Sequence, residues 1–254
     1  MMNTKKDRKN LYVNLVKKDY MQKLQPLLRR GWSLRPSDGV YVPTSSTIYP
    51  YPPWIYTQQY DGLRCGVNQQ VYWDILKYIP SQCRNCFKVV VRPQTLEHLF
   101  NLYEYQRESG VPCKCGLEKR ETVYGLYGGY FYNQSKEEGL ERYKEVREAV
   151  DEYLSPETPV ILKRYCTEFE IGGTPSDETP DCTKEELAME RDISYLVPPS
   201  GPGTNQPNHQ VINVMRRWIH YAYSNGDETY KLFTDGSPLF KPYVTYHEEE
   251  EKEK

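Results

Sequence analysis

Residues 87–110 read FKVVVRPQTLEHLFNLYEYQRESG. FKVVV is a continuous apolar run of strand length, and Pro93 opens a helix that passes through Tyr105 and stops at Gly110. Downstream, TVYGLYGGYFYN (122–133) is a long strand loosened by its glycines. Ser135 and Glu138 form a capping box, after which Leu140, Tyr143, Val146, Val150 and Leu154 mark one face of a helix. PVILKRYCTEFEI (159–171) supplies a further strand. The order β-α-β-α-β predicts a mixed α+β fold around one central sheet.

Upstream, a short helix is expected over Val71–Tyr78. Residues 43–70 contain STIYPYPPWIYTQQYDG and predict a long Pro/Tyr-rich loop, because proline withholds the ladder donor. GWSLRPSDGVYV predicts a hairpin with Trp32 and Leu34 facing Val40 and Val42. Apolar residues at 12, 15, 16, 20, 24, 27 and 28 suit an N-terminal helix, kinked by Pro26 and stopped by Gly31. Beyond the sheet, an acidic GGTPSDETPDC linker precedes a short helix capped by Thr183 and Glu186. A helix over Val211–Tyr223 turns Val214, Trp218, Ile219 and Ala222 inward, and Tyr230–Phe233 with Leu239–Val244 predict a terminal hairpin. The expected divisions are a basic helical segment 1–31 and a metal-stapled core 32–171. A region 172–245 packs on that core, and an acidic tail 246–254 follows.

The chain has 254 residues with 33 basic and 35 acidic side chains, a net charge of −2 that hides strong segregation. Residues 1–30 hold nine bases against two acids, and residues 168–192 hold nine acids against two bases. No run approaches the roughly 18 apolar residues of a membrane span, and no apolar stretch follows the charges of MMNTKKDRKN. A soluble, cytoplasmic protein without a membrane partner is therefore expected.

Seven cysteines, an odd number, argue for free thiols in a reducing compartment. Four fall into pairs, Cys83-x2-Cys86 and Cys113-x-Cys115. Thiolates at such spacing turn toward one ion across a tight turn, so these four are the expected ligands of a Zn2+ in a zinc ribbon-like staple. An iron–sulfur cluster is the lesser metal reading, and ordinary buried thiols the competing one. Closed four-thiolate coordination leaves no water position, which makes the staple structural. Cys65 and Cys182 stand alone in loops.

Alternation along PVILKRYCTEFEI puts Arg164, Cys166, Glu168 and Glu170 on one strand face, either as a cryptic reactive site or as a wet face carrying ion pairs. His98, His209, His220 and His247 are scattered, and the Gly172-Gly173 and Ser200–Gly203 stretches lack the context of a phosphate-binding loop. No catalytic motif is present. The expected function is that of a zinc-stapled, non-catalytic accessory protein that binds nucleic acid or a nucleoprotein complex. Lys5, Lys6, Arg8, Lys9, Arg216 and Arg217 are the expected contacts. The alternatives are an assembly subunit making protein–protein interfaces, and an enzyme acting near Cys166, Glu168 and Glu170.

Overall fold

Five short segments, Trp54–Thr57 (β3), Phe87–Val91 (β4), Cys113–Leu117 (β5), Tyr127–Asn133 (β6) and Val160–Arg164 (β7), pair into one sheet in the order β3-β5-β6-β4-β7. Every pairing is antiparallel. The computed structural model describes residues 18–44, 52–57, 62–173, 178–197 and 206–237. Two long helices connect the strands: α3 (Leu96–Glu108) follows β4, and α4 (Lys136–Tyr153) follows β6. They are preceded by two short ones, α1 (Gly62–Val67) and α2 (Ser81–Arg84), and followed by α5 (Thr167–Gly172), α6 (Lys184–Ser194) and α7 (Asn208–Ser224). Residues 87–164 thus run β-α-β-β-α-β with the last strand beside the first, the split β-α-β connectivity. The mixed α+β class is as expected. The order gains a strand, because CKCGL is β5 rather than a bare metal loop.

The caps at α4 and α6 are those the sequence spells, whereas α3 starts at Leu96 behind a Thr95 cap rather than at Pro93. Thr95 Oγ1 accepts from His98 N at the start of α3, Ser135 Oγ from Glu138 N at α4, and Thr183 with Glu186 closes a full capping box at α6. Along α4, Leu140 is exposed, whereas the residue before it, Gly139, meets the sheet. A Cβ at Gly139 would lie 2.8 Å from Leu162 Cδ1, so glycine lets the helix sit close to β7.

Alternation on the strands builds the main core. Ile55, Val89, Val91, Cys113, Cys115, Leu117, Tyr127 and Phe131 turn toward α3 and α4 and meet Leu99, Leu102, Val146 and Val150. The helix α7 closes this layer with Val214, Trp218 and Ala222, as its spacing predicts. Trp218 is fully buried and donates from Nε1 to Pro53 O at 2.9 Å. The neighbouring Gln206 lies along the outer edge of β3, accepting from Tyr56 N at 2.9 Å and donating to Trp54 O at 3.1 Å.

A second core joins Leu24, Leu27, Trp32, Tyr41, Val71, Tyr72, Tyr78, Ile193 and Leu196. It holds the hairpin of Trp32–Leu34 (β1) and Tyr41–Pro43 (β2), in which Leu34 faces Tyr41 and Trp32 faces Pro43. This register differs from the expected facing of Val40 and Val42. Residues 18–24 are helical and pass at Pro26 into a tighter 3-10 turn, Gln25–Arg29. The expected helix over Val71–Tyr78 is instead a π-helical turn over Asn68–Trp73. The strand expected to reach residue 171 ends at Arg164, and α5 follows it. Tyr230–Phe233 belongs to a 3-10 helix rather than a hairpin strand, and Leu239–Val244 lies outside the described residues. Among the described residues no helix is long and apolar enough to cross a membrane.

Candidate functional site

The face of the sheet turned away from α3 and α4 receives the alternate residues, most of which on β3, β5 and β6 are aromatic or charged. Cross-strand register aligns Tyr56, Lys114, Tyr130 and Val90 in one row, with Lys88 beside Tyr132 in the next. Lys114 Nζ stands 4.5 Å from the Trp54 ring centre, 5.3 Å from that of Tyr130 and 5.9 Å from that of Tyr56. Trp54 meets Tyr130 edge-on at 5.6 Å. Burial lowers the Lys114 ammonium to about 8, with neighbouring cations at Lys88 and Arg120 adding to the effect. Tyr130 is buried, while Trp54, Tyr56, Lys114 and Tyr132 remain half-buried.

One end of this face is held by a charge network. Glu118, fully inaccessible at its side chain, accepts from Arg92 Nη1 at 3.2 Å, Arg120 Nη2 at 2.6 Å and the Tyr130 hydroxyl at 2.8 Å. Arg120 reaches on to Glu168 at 3.0 Å. Burial alone would raise the Glu118 carboxyl, but Arg120, the Tyr130 hydroxyl and the Arg120 amide outweigh it and bring it to about 2. Glu170 pairs with Lys163. The carboxylates expected to share a strand face with Cys166 therefore sit on α5, each held by a cation.

The seven cysteines are free thiols. The structure does not bring the four expected ligands together. Cys113 and Cys115 point from β5 into the helix-side core and are fully buried. The Cys113 sulfur shares a 2.6 Å hydrogen bond with Thr57 Oγ1, and burial raises both thiols. Cys83 and Cys86 lie elsewhere, on α2 and at the entry to β4. Cys83 packs with Ile79, Tyr165 and Phe169, against which Cys166 also lies. Lys88 Nζ donates to Cys166 Sγ at 3.0 Å. Among the described residues no group of three or more His, Cys, Asp or Glu side chains is set to hold a metal ion.

Arg216 and Arg217 are exposed on α7, and Lys5, Lys6, Arg8 and Lys9 lie outside the described residues. The spacing argument missed Lys88, Lys114, Trp54, Glu118 and Arg120. The signal for the lysines was period-two alternation in FKVVV and CKCGL, where one charged residue in each run marks the face that is not the helix side. Compared with family models, curated proteins and solved structures, the chain matches none.

Proposed function

We propose that the chain acts by binding, and that its partner is single-stranded nucleic acid, alone or within a nucleoprotein complex. The observation that carries this reading is the Trp54–Lys114–Tyr130 group with Tyr56 beside it. Aromatic rings interleaved with cations on a sheet are what unstacked bases and their phosphates require. A duplex hides its base faces, so a stacking surface selects single strands. Trp54 and Tyr56 lie on the edge strand β3 and are the half-buried, reachable members of the group. Arg216 and Arg217, exposed on α7, add cations for the backbone.

The catalytic alternative has less support, because Glu168 and Glu170 are both engaged in ion pairs. The test is fluorescence anisotropy of labelled single-stranded DNA and RNA against the full chain over a salt series. Trp54→Ala should weaken binding about 5- to 150-fold, the equivalent of about 1–3 kcal/mol for one lost stacking partner. Absence of binding at low salt, or equal affinity for the variant, would replace this reading with the assembly subunit.

A further inference from the structure

The two edges of the sheet are finished differently, and we infer that the open one, β7, pairs with β7 of a second copy of this chain across a twofold axis at Ile161. The inference does not depend on nucleic-acid binding. The β3 edge is closed by Gln206, which bonds to Tyr56 N and Trp54 O. β7 has β4 on one side, and among the described residues no strand lies on the other. Arg92 N donates to Pro159 O at 3.0 Å and Tyr165 N to Cys86 O at 2.8 Å, at the two ends of the β4–β7 ladder. The peptide groups of Pro159, Ile161, Lys163 and Tyr165 therefore face β4, and those of Val160, Leu162 and Arg164 turn outward. Among the described residues nothing bonds to the outward N–H and C=O of Val160 and Leu162. The Arg164 end is covered, because its guanidinium reaches Thr179 O at 3.2 Å and the Tyr165 hydroxyl shares a 2.6 Å hydrogen bond with Thr179 Oγ1. The open stretch is thus Val160 to Leu162, with Ile161 at its middle.

An open antiparallel edge accepts any extended segment, and three observations select a copy of itself. The first is Ile161, an apolar residue 47% exposed beside the open edge. Antiparallel pairing about Ile161 sets it against itself at a non-hydrogen-bonded position, where side chains come closest, while Val160 exchanges both backbone bonds with Leu162 of the copy. The second lies on the other face of the sheet. Leu140, also 47% exposed, stands two helical turns before Arg147 on α4, and Arg147 Nη1 donates to Thr158 O at 2.7 Å just ahead of β7. Its neighbour Gly139 rests against Leu162, so Leu140 borders the same open edge and the same axis brings it toward its own copy. The third is charge. Exposed Glu157 precedes β7 and Lys163 lies near its end, so antiparallel pairing sets the acidic end of each strand beside the basic end of the other. Ile161 also continues the row of Tyr56, Lys114, Tyr130 and Val90, and pairing there joins that row to the row of the copy across one ten-stranded face.

The test is sedimentation equilibrium of the reduced full chain over a concentration series, with amide hydrogen exchange at both ends of the series. The mass should rise with concentration from 30.0 kDa toward twice that value, and the Val160 and Leu162 amides should exchange at least tenfold more slowly in the dimer. Ile161→Lys sets two ammonium groups against each other at an exposed position and should weaken association at least tenfold. Ile212→Lys, similarly exposed on α7, should not. Ile161→Cys, mildly oxidised, should cross-link to its copy, since facing Cα atoms at such a position lie about 4.5 Å apart. Lys163→Cys, about 13 Å along the strand from its counterpart, should not. Circular dichroism establishes that each variant is folded, and the exchange measurement needs no variant. A monomer at every concentration, a dimer that survives Ile161→Lys, or cross-linking through Lys163→Cys instead would each overturn the inference. So would slow exchange of Val160 and Leu162 in a monomer, which would mean that another segment of the same chain covers the edge.

Discussion

Replacing Glu118 by Gln keeps the shape of the buried network at the end of the sheet and removes its negative charge. Arg92 and Arg120 then face a neutral amide at 3.2 and 2.6 Å, one of whose termini is itself a donor. The carboxyl lies near 2 in the folded chain against an ordinary 4.5, a difference of about 2.5 units or about 3 kcal/mol at neutral pH. Loss of one partner from a buried ion pair costs about 3–5 kcal/mol, which agrees. For a chain of this size the melting temperature should fall by roughly 6–12 °C. The sign with pH follows from the lowered carboxyl. Its contribution is complete above about 4.5 and disappears as pH falls toward about 2. Between pH 7 and pH 3 the wild type should lose about 2 kcal/mol through this group alone, and Glu118→Gln should not. Urea denaturation of both chains at the two pH values measures each quantity. A cost below about 1 kcal/mol at pH 7, or the same pH difference in both chains, would refute the reasoning.

A Cβ at Gly116 would meet Pro53 O at 2.2 Å and Trp54 Cα at 2.9 Å, both backbone atoms, whereas at Gly129 the first obstacle is the Leu102 side chain. Gly116→Ala should therefore cost about 3 kcal/mol or more and Gly129→Ala less, by thermal denaturation; the reverse order would count against the β3–β5 packing. Asp227 Oδ2 accepts from Leu96 N and from the Tyr127 hydroxyl, each at 2.6 Å, so Asp227→Ala should cost about 2–4 kcal/mol in urea titration. A cost near zero would show that water replaces both bonds. Cys83→Ser should lower the melting temperature more than Cys182→Ser, since the first puts a hydroxyl into the buried cluster of Ile79, Tyr165 and Phe169 and the second changes a half-buried thiol bonded to Tyr78 OH at 3.2 Å. Equal shifts would argue against the close packing of Cys83 in that cluster.

The parts of the fold legible in the sequence are those with sustained period and local chemistry. The caps at Ser135 and Thr183 are contacts made within three residues, and α3, α4 and α7 each repeat their apolar positions over several turns. β5 was hidden because five residues with two cysteines and a glycine resemble a metal loop as closely as a strand. The end of β7 was hidden for another reason. Nothing local announces that Tyr165 adopts a positive φ, since the conformation is imposed by partners such as the Cys86 carbonyl from far along the chain. The same holds for the site. Cys83 and Cys86 reveal their pairing by spacing, but Cys166 joins their neighbourhood through the β4–β7 register. Segregated charge was visible; the particular partners of Glu118 and Glu168 are set by tertiary structure alone.

The clasp on β3 has a consequence for the chain while it is being made. Residues 87–164 are contiguous and can complete their split β-α-β sheet as soon as they emerge, but β3 is finished only when Gln206 and Trp218 arrive. Trp218 lies 165 positions beyond Pro53, a delay of roughly 10–30 s at about 5–20 residues per second. Through that interval β3 offers Tyr56 N–H and Trp54 C=O to any strand nearby, including the same segment on the next ribosome of a polysome. Gln206 thus acts as a late-arriving guard, and the period of greatest aggregation hazard is fixed by the position of one glutamine in the order of synthesis.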